Sequence, residues 1–446
     1  HDELLAGQLA LGLLRERMRK TRGVARIATG ARMQRVEAAF GHQLTASQQM
    51  AVGEILADLA RPERMNRLLQ GDVGAGKTVV ALLAMAAVAE AGAQSAMMAP
   101  TEILARQHHS TLSSLCEAAG LRIALLTGRE KGVTRAPLLA GLASGDIDIV
   151  VGTHALFQGP VEFRDLGLAV VDEQHRFGVH QRLALSDKGG SADLLVMTAT
   201  PIPRTLVLTC YGDMEVSRLT GKPAGRLPIR TTAMPLDRLA ELTDHVGTAL
   251  ERGEKLYWIC PLVEESEEVQ AVSAEERYRF LASRFGAAVG LVHGRMSAAE
   301  KDLAMEAFRS GTTRLLVATT VIEVGVDVPD ATIIVIEHAE RFGLAQIHQL
   351  RGRVGRGSRP SSCILLYKAP LGETAQARLR ILRETEDGFR IAEEDLKLRG
   401  EGEILGTRQS GTPGFALARA EAHGDILEMA RDEARLLLAD HAGLGD

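Results

Sequence analysis

Gly71-Asp72-Val73-Gly74-Ala75-Gly76-Lys77-Thr78 reads G-x-x-x-x-G-K-T, and its interpretation decides the fold. Glycines at 71, 74 and 76 let successive backbone N–H groups turn inward around the α/β-phosphates of a nucleotide. Lys77 brings a point charge to the β/γ-phosphates, and the Thr78 hydroxyl is a Mg²⁺ ligand. The flanks agree: Leu68-Leu69-Gln70 reads as a strand end, and Val79 to Glu90 is apolar and Ala-rich, as a helix requires. Such a helix aims its positive end at the phosphates. Average residue usage puts a chance match in a chain this long at about 2%, so a Gly-rich turn with a stray lysine is set aside. The chain is expected to bind a nucleoside triphosphate.

At 446 residues the chain exceeds one ordinary core, and roughly two to four domains are expected. With 46% hydrophobic but only 3% aromatic residues, the interior must rely on Leu, Val, Ile and Ala. The net charge of −5 does not advertise nucleic-acid binding, so any such surface must be local. Four cysteines, Cys116, Cys210, Cys260 and Cys363, lie far apart with no C-x-x-C pair. That argues against a zinc ribbon and fits reduced thiols in a cytosol. The thirteen histidines show no metal-ligand spacing. No apolar run reaches membrane-spanning length and no signal-peptide pattern opens the chain, so a cytoplasmic protein is expected. The first residue is His1 rather than Met, and the natural N-terminus is expected to lie upstream.

Residues 2 to 20 space Leu4, Leu5, Leu9, Leu11, Leu13 and Leu14 as an amphipathic helix. Its tail is basic, with Arg15, Arg17, Arg19, Lys20, Arg22 and Arg26, then Arg32 and Arg35. A DNA-backbone contact and a solvated linker are equally open readings. Phe40 to Gln48 precedes the phosphate loop by some twenty residues. A Thr at a helix start with Gln48 one turn on could be a helix cap; in front of such a loop, contact with an adenine edge is preferred.

From Met97 onward, strands and helices alternate. Apolar strands end at Met98-Ala99-Pro100-Thr101, at Gly152-Thr153-His154, at Asp172-Glu173-Gln174-His175 and at Thr198-Ala199-Thr200. Apolar runs separated by helical patterns indicate a parallel sheet with helices on both faces. Polar groups then gather at the C-terminal strand ends, where open α/β sheets place ligands. In the same unit as a phosphate loop, Asp172 can hold Mg²⁺ and Glu173 can orient the attacking water. Pro223 to Pro235 is rich in Pro and Gly and lacks either period, so it reads as a hinge. Beyond it come strands at Lys255 to Cys260, Ala288 to Val292, Thr313 to Ala318, Thr332 to Ile336 and Cys363 to Tyr367. Glu264 to Glu276 is an acidic segment, most simply a solvated loop. The second half carries no phosphate loop but has Gln349-Leu350-Arg351-Gly352-Arg353-Val354-Gly355-Arg356-Gly357. Arginines three residues apart share an edge; guanidiniums reaching a γ-phosphate from a neighbouring domain would act as arginine fingers.

The whole set resembles a superfamily 2 helicase core with two RecA-like domains. Phe40–Gln48 resembles the Q motif, Gly71–Thr78 motif I, Ala99–His108 motif Ia, Asp172–His175 a DExH-type motif II, and Thr198–Thr200 motif III. Val317 to Pro329 resembles motif V and Gln349–Gly357 motif VI. Finer features resemble the RecG family of branched-DNA translocases: Asp172 to Val179, Met197 to Leu206, Cys260 to Ser266, and above all Asp395 to Gly411. The last is similar to the TRG motif shared by RecG and Mfd; read bottom-up, it is only a charged helix, a Gly-rich turn and a polar loop.

The resemblance implies two parallel-sheet domains with a C-terminal helical-hairpin extension: 1–42 as amphipathic helix and basic linker, 43–223 as the ATP-binding domain, 224–383 as the second RecA-like domain, and 384–446 as the TRG segment and C-terminal helices. It implies ATP and Mg²⁺ as cofactors. Lys77, Asp172, Glu173, Arg353 and Arg356 would be catalytic, with Thr78 and Asp172 on the metal. Gln48, Gly71, Gly74, Gly76, Gly325 and Asp327 would line the nucleotide. Thr101, Thr153, His154, His175, Thr198, Thr200, Thr319, Arg399, Arg408 and Gln409 would contact DNA or couple it to hydrolysis. The implied activity is ATP-driven translocation on double-stranded DNA, remodelling stalled forks and Holliday junctions in a bacterial, nucleoid-associated setting. A monomer is expected, with a single-strand DNA-binding protein as a candidate partner. Family members carry an N-terminal wedge domain, and nothing here precedes the first helix, so the chain is expected to be the motor portion. The alternative is an Mfd-like motor that pushes RNA polymerase; Phe415 to Leu438 reads as a helix closer to the RecG ending.

Overall fold

Two parallel sheets organise the chain, because short apolar runs alternate with helices long enough to cross back over a sheet face. In a computed structural model, the described residues are 1–19, 23–128, 134–157, 161–172, 192–201, 214–221, 226–261, 266–319, 328–399 and 424–442. The chain divides into two units, one of residues 1–71, 75–221 and 399–446, the other of 72–74 and 222–398.

The first unit begins with α1 (Asp2–Arg19), α2 (Ala31–Phe40) and α3 (Ala46–Leu59). Then come β1 (Asn66–Gly71), α4 (Lys77–Glu90), β2 (Gln94–Met98), α5 (Glu102–Ala118), β3 (Ile123–Leu126), α6 (Arg135–Ser144) and β4 (Ile149–Gly152). Strands β5 (Leu166–Asp172), β6 (Asp193–Thr198) and β7 (Glu215–Leu219) complete it. The seven strands order as β3-β4-β2-β5-β6-β1-β7, every pair parallel.

Helix α4 explains that order. Residues from Val79 to Ala89 are all buried, so this helix has no polar face and must be covered on every side. The sheet covers one side through Leu69, Met97, Val151, Val170, Leu195 and Met197, while α2, α3 and α5 supply Val36, Ile55 and Leu112. Each fully buried Leu or Val there contributes roughly 1.5–3 kcal/mol relative to exposure. Helix α2 has Gly30 at its N-cap and no side-chain cap of its own. Glu90, the last residue of α4, supplies one from outside: its carboxylate accepts from the N–H groups of Thr29 and Ala31 at 3.1 and 3.2 Å and from that of Arg32 at 3.2 Å.

The second unit runs through β8 (Ile229–Pro235), α7 (Leu239–Glu251), β9 (Lys255–Ile259), α8 (Ser266–Phe285), β10 (Val289–Val292) and α9 (Ala298–Ser310). It continues with β11 (Leu315–Ala318), β12 (Ala331–Ile336), α10 (Leu344–Arg351), β13 (Ser361–Tyr367), α11 (Glu373–Glu384) and α12 (Gly388–Arg399). Its six strands order as β10-β11-β9-β12-β13-β8, again all parallel. The last helix, α13 (Gly424–Ala442), returns to the first unit, where Leu427 and Ala430 bury Leu4 of α1.

The hinge reading of Pro223–Pro235 needs correction. Residues 229–235 form β8, paired with β13 from Ser361↔Ile229 to Tyr367↔Pro235. It is an edge strand, and proline is tolerated at an edge strand's end because no further ladder hydrogen bond is needed there. The acidic segment also differs from a solvated loop: Ser266 to Phe285 is helix α8. Its Arg277 Nε donates to buried Glu337 at 2.8 Å, and Trp258 Nε1 donates to the same carboxylate at 2.9 Å. Among the described residues no helix is long and apolar enough to cross a membrane.

Trp258 is the single tryptophan of the chain and is fully buried with Leu315 in the second unit's core. Leu315→Ala is expected to cost about 2–5 kcal/mol. In urea, the Trp258 fluorescence midpoint should fall accordingly; an unchanged midpoint would contradict the packing.

Candidate functional site

The phosphate loop joins β1 to α4 by a turn that needs left-handed backbone at two places, Gly74 with φ 74° and Gly76 with φ 85°. Only glycine takes such angles without strain. Gly76 is the N-cap of α4 and gives that helix no side-chain cap, which suits an anion as the group that satisfies its first turn. Lys77 is buried, and its Nζ donates to the Gly71 carbonyl at 2.7 Å, across the loop's own mouth.

Gln48 bears on the same loop. Thr45 and Gln48 form a reciprocal capping box at the start of α3, with the Thr45 N–H donating to Gln48 Oε1 at 2.8 Å. Gln48 Nε2 donates to the Ala75 carbonyl, also at 2.8 Å. The cap, weighed as the lesser alternative from sequence, is therefore real, and the same side chain ties helix α3 to the phosphate loop. A Cβ at Gly76 would meet Gln48 Nε2, so a side chain there would push that amide away from the Ala75 carbonyl.

The C-terminal edge of the first sheet collects the other candidates in strand order. Strand β4 leads to Thr153 and His154, β2 to Thr101, β5 ends in Asp172, β6 in Thr198, and β1 opens into the loop. Four strand spacings separate β4 from β1, about 19 Å at ~4.8 Å each. The phosphate-directed groups thus occupy one half of the edge and the polar threonines Thr101 and Thr153 the other. Thr101 caps α5, its hydroxyl accepting the Leu104 N–H at 3.3 Å. Thr153 is buried, while His154 is exposed. Thr198 Oγ1 accepts the Thr200 N–H at 3.2 Å, closing the turn after β6.

Asp172 is buried, and its Oδ2 lies 2.8 Å from His108 Nε2 on α5. The pairing follows from two periodicities. Ala105, Leu112 and Cys116 are the buried stripe of α5, and His108 falls on it by the i, i+3, i+4 rule. Leu168 and Val170 face the same core, and Asp172 continues their side of β5. A polar residue on an apolar stripe signals a buried partner, and His108 stood only at the margin of the motif assignments. A carboxylate with an ordered partner, at the end of a strand two places from the one that opens into the loop, fits Mg²⁺, which takes one or two protein oxygens plus phosphate oxygens and waters. Among the described residues no three or more His, Cys, Asp or Glu converge as a self-sufficient metal site.

In the second unit Thr319 is buried at the end of β11. The arginines of Gln349–Gly357 part company. Arg351 is almost fully buried, its guanidinium donating to the Leu382 and Thr385 carbonyls at 2.8 and 3.0 Å. Burial holds its pKa below the usual arginine range. Arg353 and Arg356 are half-buried, with Arg356 Nε on the Gly352 carbonyl at 3.1 Å. Glu173, His175, Gly325, Asp327, Arg408 and Gln409 lie outside the described residues, as does Gly400 to Gly411 of the TRG-like stretch; Arg399 ends helix α12.

Part of the basic N-terminal stretch is committed to the protein itself. Arg26 pairs with Asp165 at 2.9 Å and Arg32 with Asp148 at 3.9 Å, both acids preceding strands at the edge opposite the loop. For these two, the DNA-backbone reading gives way to internal pairing. Burial pushes the Cys116 and Cys363 thiols up to about 12, so neither is a nucleophile at neutral pH.

Comparisons with known proteins bear on the fold and the family. The family described as DEAD/DEAH box helicase matches residues 45–208, and the helicase conserved C-terminal domain matches residues 237–358. The family described as ATP-dependent DNA helicase RecG, domain 3, C-terminal, matches residues 385–444. The ATP-dependent DNA helicase RecG of Acidithiobacillus ferridurans is 50% identical over 98% of this chain and 64% of its own length. That of Bacillus subtilis is 47% identical over 99% of this chain and 65% of its own. The structure of RecG bound to a three-way DNA junction superposes with a TM-score of 0.78 at 43% identity, covering 96% of this chain and 56% of the other. The chain therefore spans less than two thirds of these relatives' length.

Gln48→Ala removes the side-chain half of the capping box and the tie to Ala75. It is expected to lower the first unit's stability by about 1 kcal/mol. Amide hydrogen exchange should quicken at residues 72–76 while strand β2 keeps its protection; equal exchange in both proteins would show that Gln48 does not hold the loop.

Proposed function

The chain belongs to the RecG family of helicases, and on that footing we propose that it is an ATP-hydrolysing motor that translocates on double-stranded DNA. The observation that carries the reading is the placement of the phosphate loop, Asp172 and Thr198 at the ends of three adjacent strands, β1, β5 and β6. The proposed substrate is branched DNA, forks and Holliday junctions; the relative bound to a three-way junction supports it. The matched relatives give the polymerase-pushing alternative no support.

ATP would seat its phosphates in the loop against Lys77 and the first amides of α4, with Thr78 and Asp172 holding Mg²⁺. The metal, when bound, would offset charge on the transferring phosphoryl group. Lys77, now on the Gly71 carbonyl, would exchange that contact for phosphate oxygens. Glu173 would orient water, Gln48 would contact the adenine, and Gly325 and Asp327 would line the nucleotide. Arg353 and Arg356 are proposed as the cations for the transition-state charge; the internal commitment of Arg351 supports that division. Thr101, Thr153, His154 and Thr319 would track the DNA backbone, and His175, Thr198 and Thr200 would couple the two events. Arg399, Arg408 and Gln409 would turn hydrolysis into a step. Contacts mainly to phosphate make binding independent of sequence and steeply salt-dependent. A monomer in the bacterial cytoplasm, associated with the nucleoid and with a single-strand DNA-binding protein, completes the proposal.

Steady-state ATPase without DNA, and with single strand, linear duplex and a four-way junction, tests it. Duplex or junction should stimulate the rate strongly, and Lys77→Ala and Glu173→Gln should each lower kcat by about 100-fold or more. Equal rates with every DNA and with none would overturn the coupled motor.

A further inference from the structure

His108 has no role in the proposed chemistry, yet its imidazole lies against the carboxylate on which that chemistry depends. It stands between Ala105 and Leu112 on the buried stripe of α5, with its side chain only 13% exposed and that of Asp172 11%. An imidazole on an apolar stripe costs free energy unless a polar partner satisfies it. Here the partner is Asp172 Oδ2 at 2.8 Å. A carboxylate that holds a metal is ionised and can only accept, so in that state the donor is the Nε2–H.

We propose that His108 is a positioning residue that fixes the Asp172 carboxylate for Mg²⁺; this rests on the reading of Asp172 as a metal ligand. The terminal torsion of an aspartate is broad, whereas Mg²⁺ demands near-octahedral oxygens at 2.0–2.1 Å. A donor held on the packed face of α5 removes the carboxylate's rotational freedom before the metal arrives. Outer-shell donors of this kind typically change metal affinity 10–100-fold.

The test is equilibrium binding of a fluorescent ADP analogue to the full chain, titrated with Mg²⁺, which reads the metal site without turnover. His108→Ala is expected to raise the Mg²⁺ needed for half-saturation about tenfold or more and to leave metal-free ADP binding unchanged. His108→Gln places an N–H donor at similar reach and should restore most of the Mg²⁺ response; it also serves as the decisive variant if alanine fails to fold. Asp172→Asn separates the two levels of the argument. A Mg²⁺ response lost in Asp172→Asn but intact in His108→Ala, or in a folded His108→Gln no better than alanine, overturns the positioning role alone. A response intact in Asp172→Asn overturns the reading of Asp172 and the proposal with it.

Discussion

Helix α4 has no face that tolerates water, and the architecture of the first unit follows from that constraint. A helix buried from Val79 to Ala89 must have the sheet below it and helices beside it. Its N-terminus must also emerge where the preceding strand ends. The turn between them is then short, and its backbone has to pass through left-handed angles at Gly74 and Gly76. Burial of the helix and exposure of its first amides to a ligand are two results of one cause. Neighbouring strands, forced parallel by the same crossovers, deliver Asp172 and Thr198 to that edge.

Much of this was legible in the chain. Interior strands β4, β5, β6, β9, β11 and β12 carry unbroken apolar stretches, because a strand covered on both faces has no polar side to display, while β2 opens on buried Gln94 and Ser95 before turning apolar. The strands that escaped were β3, β7 and β8, all at sheet edges. β7 reads Glu-Val-Ser-Arg-Leu, an alternation as compatible with a loop as with a half-covered strand. β8 ends in Pro235 and sits in a Pro-rich context that argues for a break. At the site, the motif residues announced themselves by spacing. His108 did not, since a histidine on a helix stripe has no meaning until its partner on a strand sixty-four residues away is brought against it. Gln48 was legible only in part: its spacing to Thr45 pointed to a cap, but its bond to Ala75 depends on tertiary packing.

The second unit uses its buried charge differently. Glu337, at the end of β12, is held by Trp258 and Arg277 from a strand and a helix. The next residue, His338, is the one non-glycine among the described residues with left-handed backbone, at φ 52°. Strained backbone persists only where its surroundings over-determine it, and this bend starts the path to α10. Arg351, at that helix's end, then pins the path to α11 through the Leu382 carbonyl. Removing either partner of such a buried charge costs more than the pair is worth, because the remaining ion has no water to return to.

Glu90 joins two parts of the chain that look separable in sequence. By accepting the first amides of α2, it makes the far end of the nucleotide-loop helix the anchor of a segment 58 to 61 residues upstream. Val36 of α2 in turn lies in the core against which α4 packs. A truncation that starts at residue 43 would therefore not trim a linker. It would strip one wall from α4 and leave a carboxylate at a helix C-terminus without the α2 amides that offset it. Fragments meant to retain the loop need to begin before Thr29.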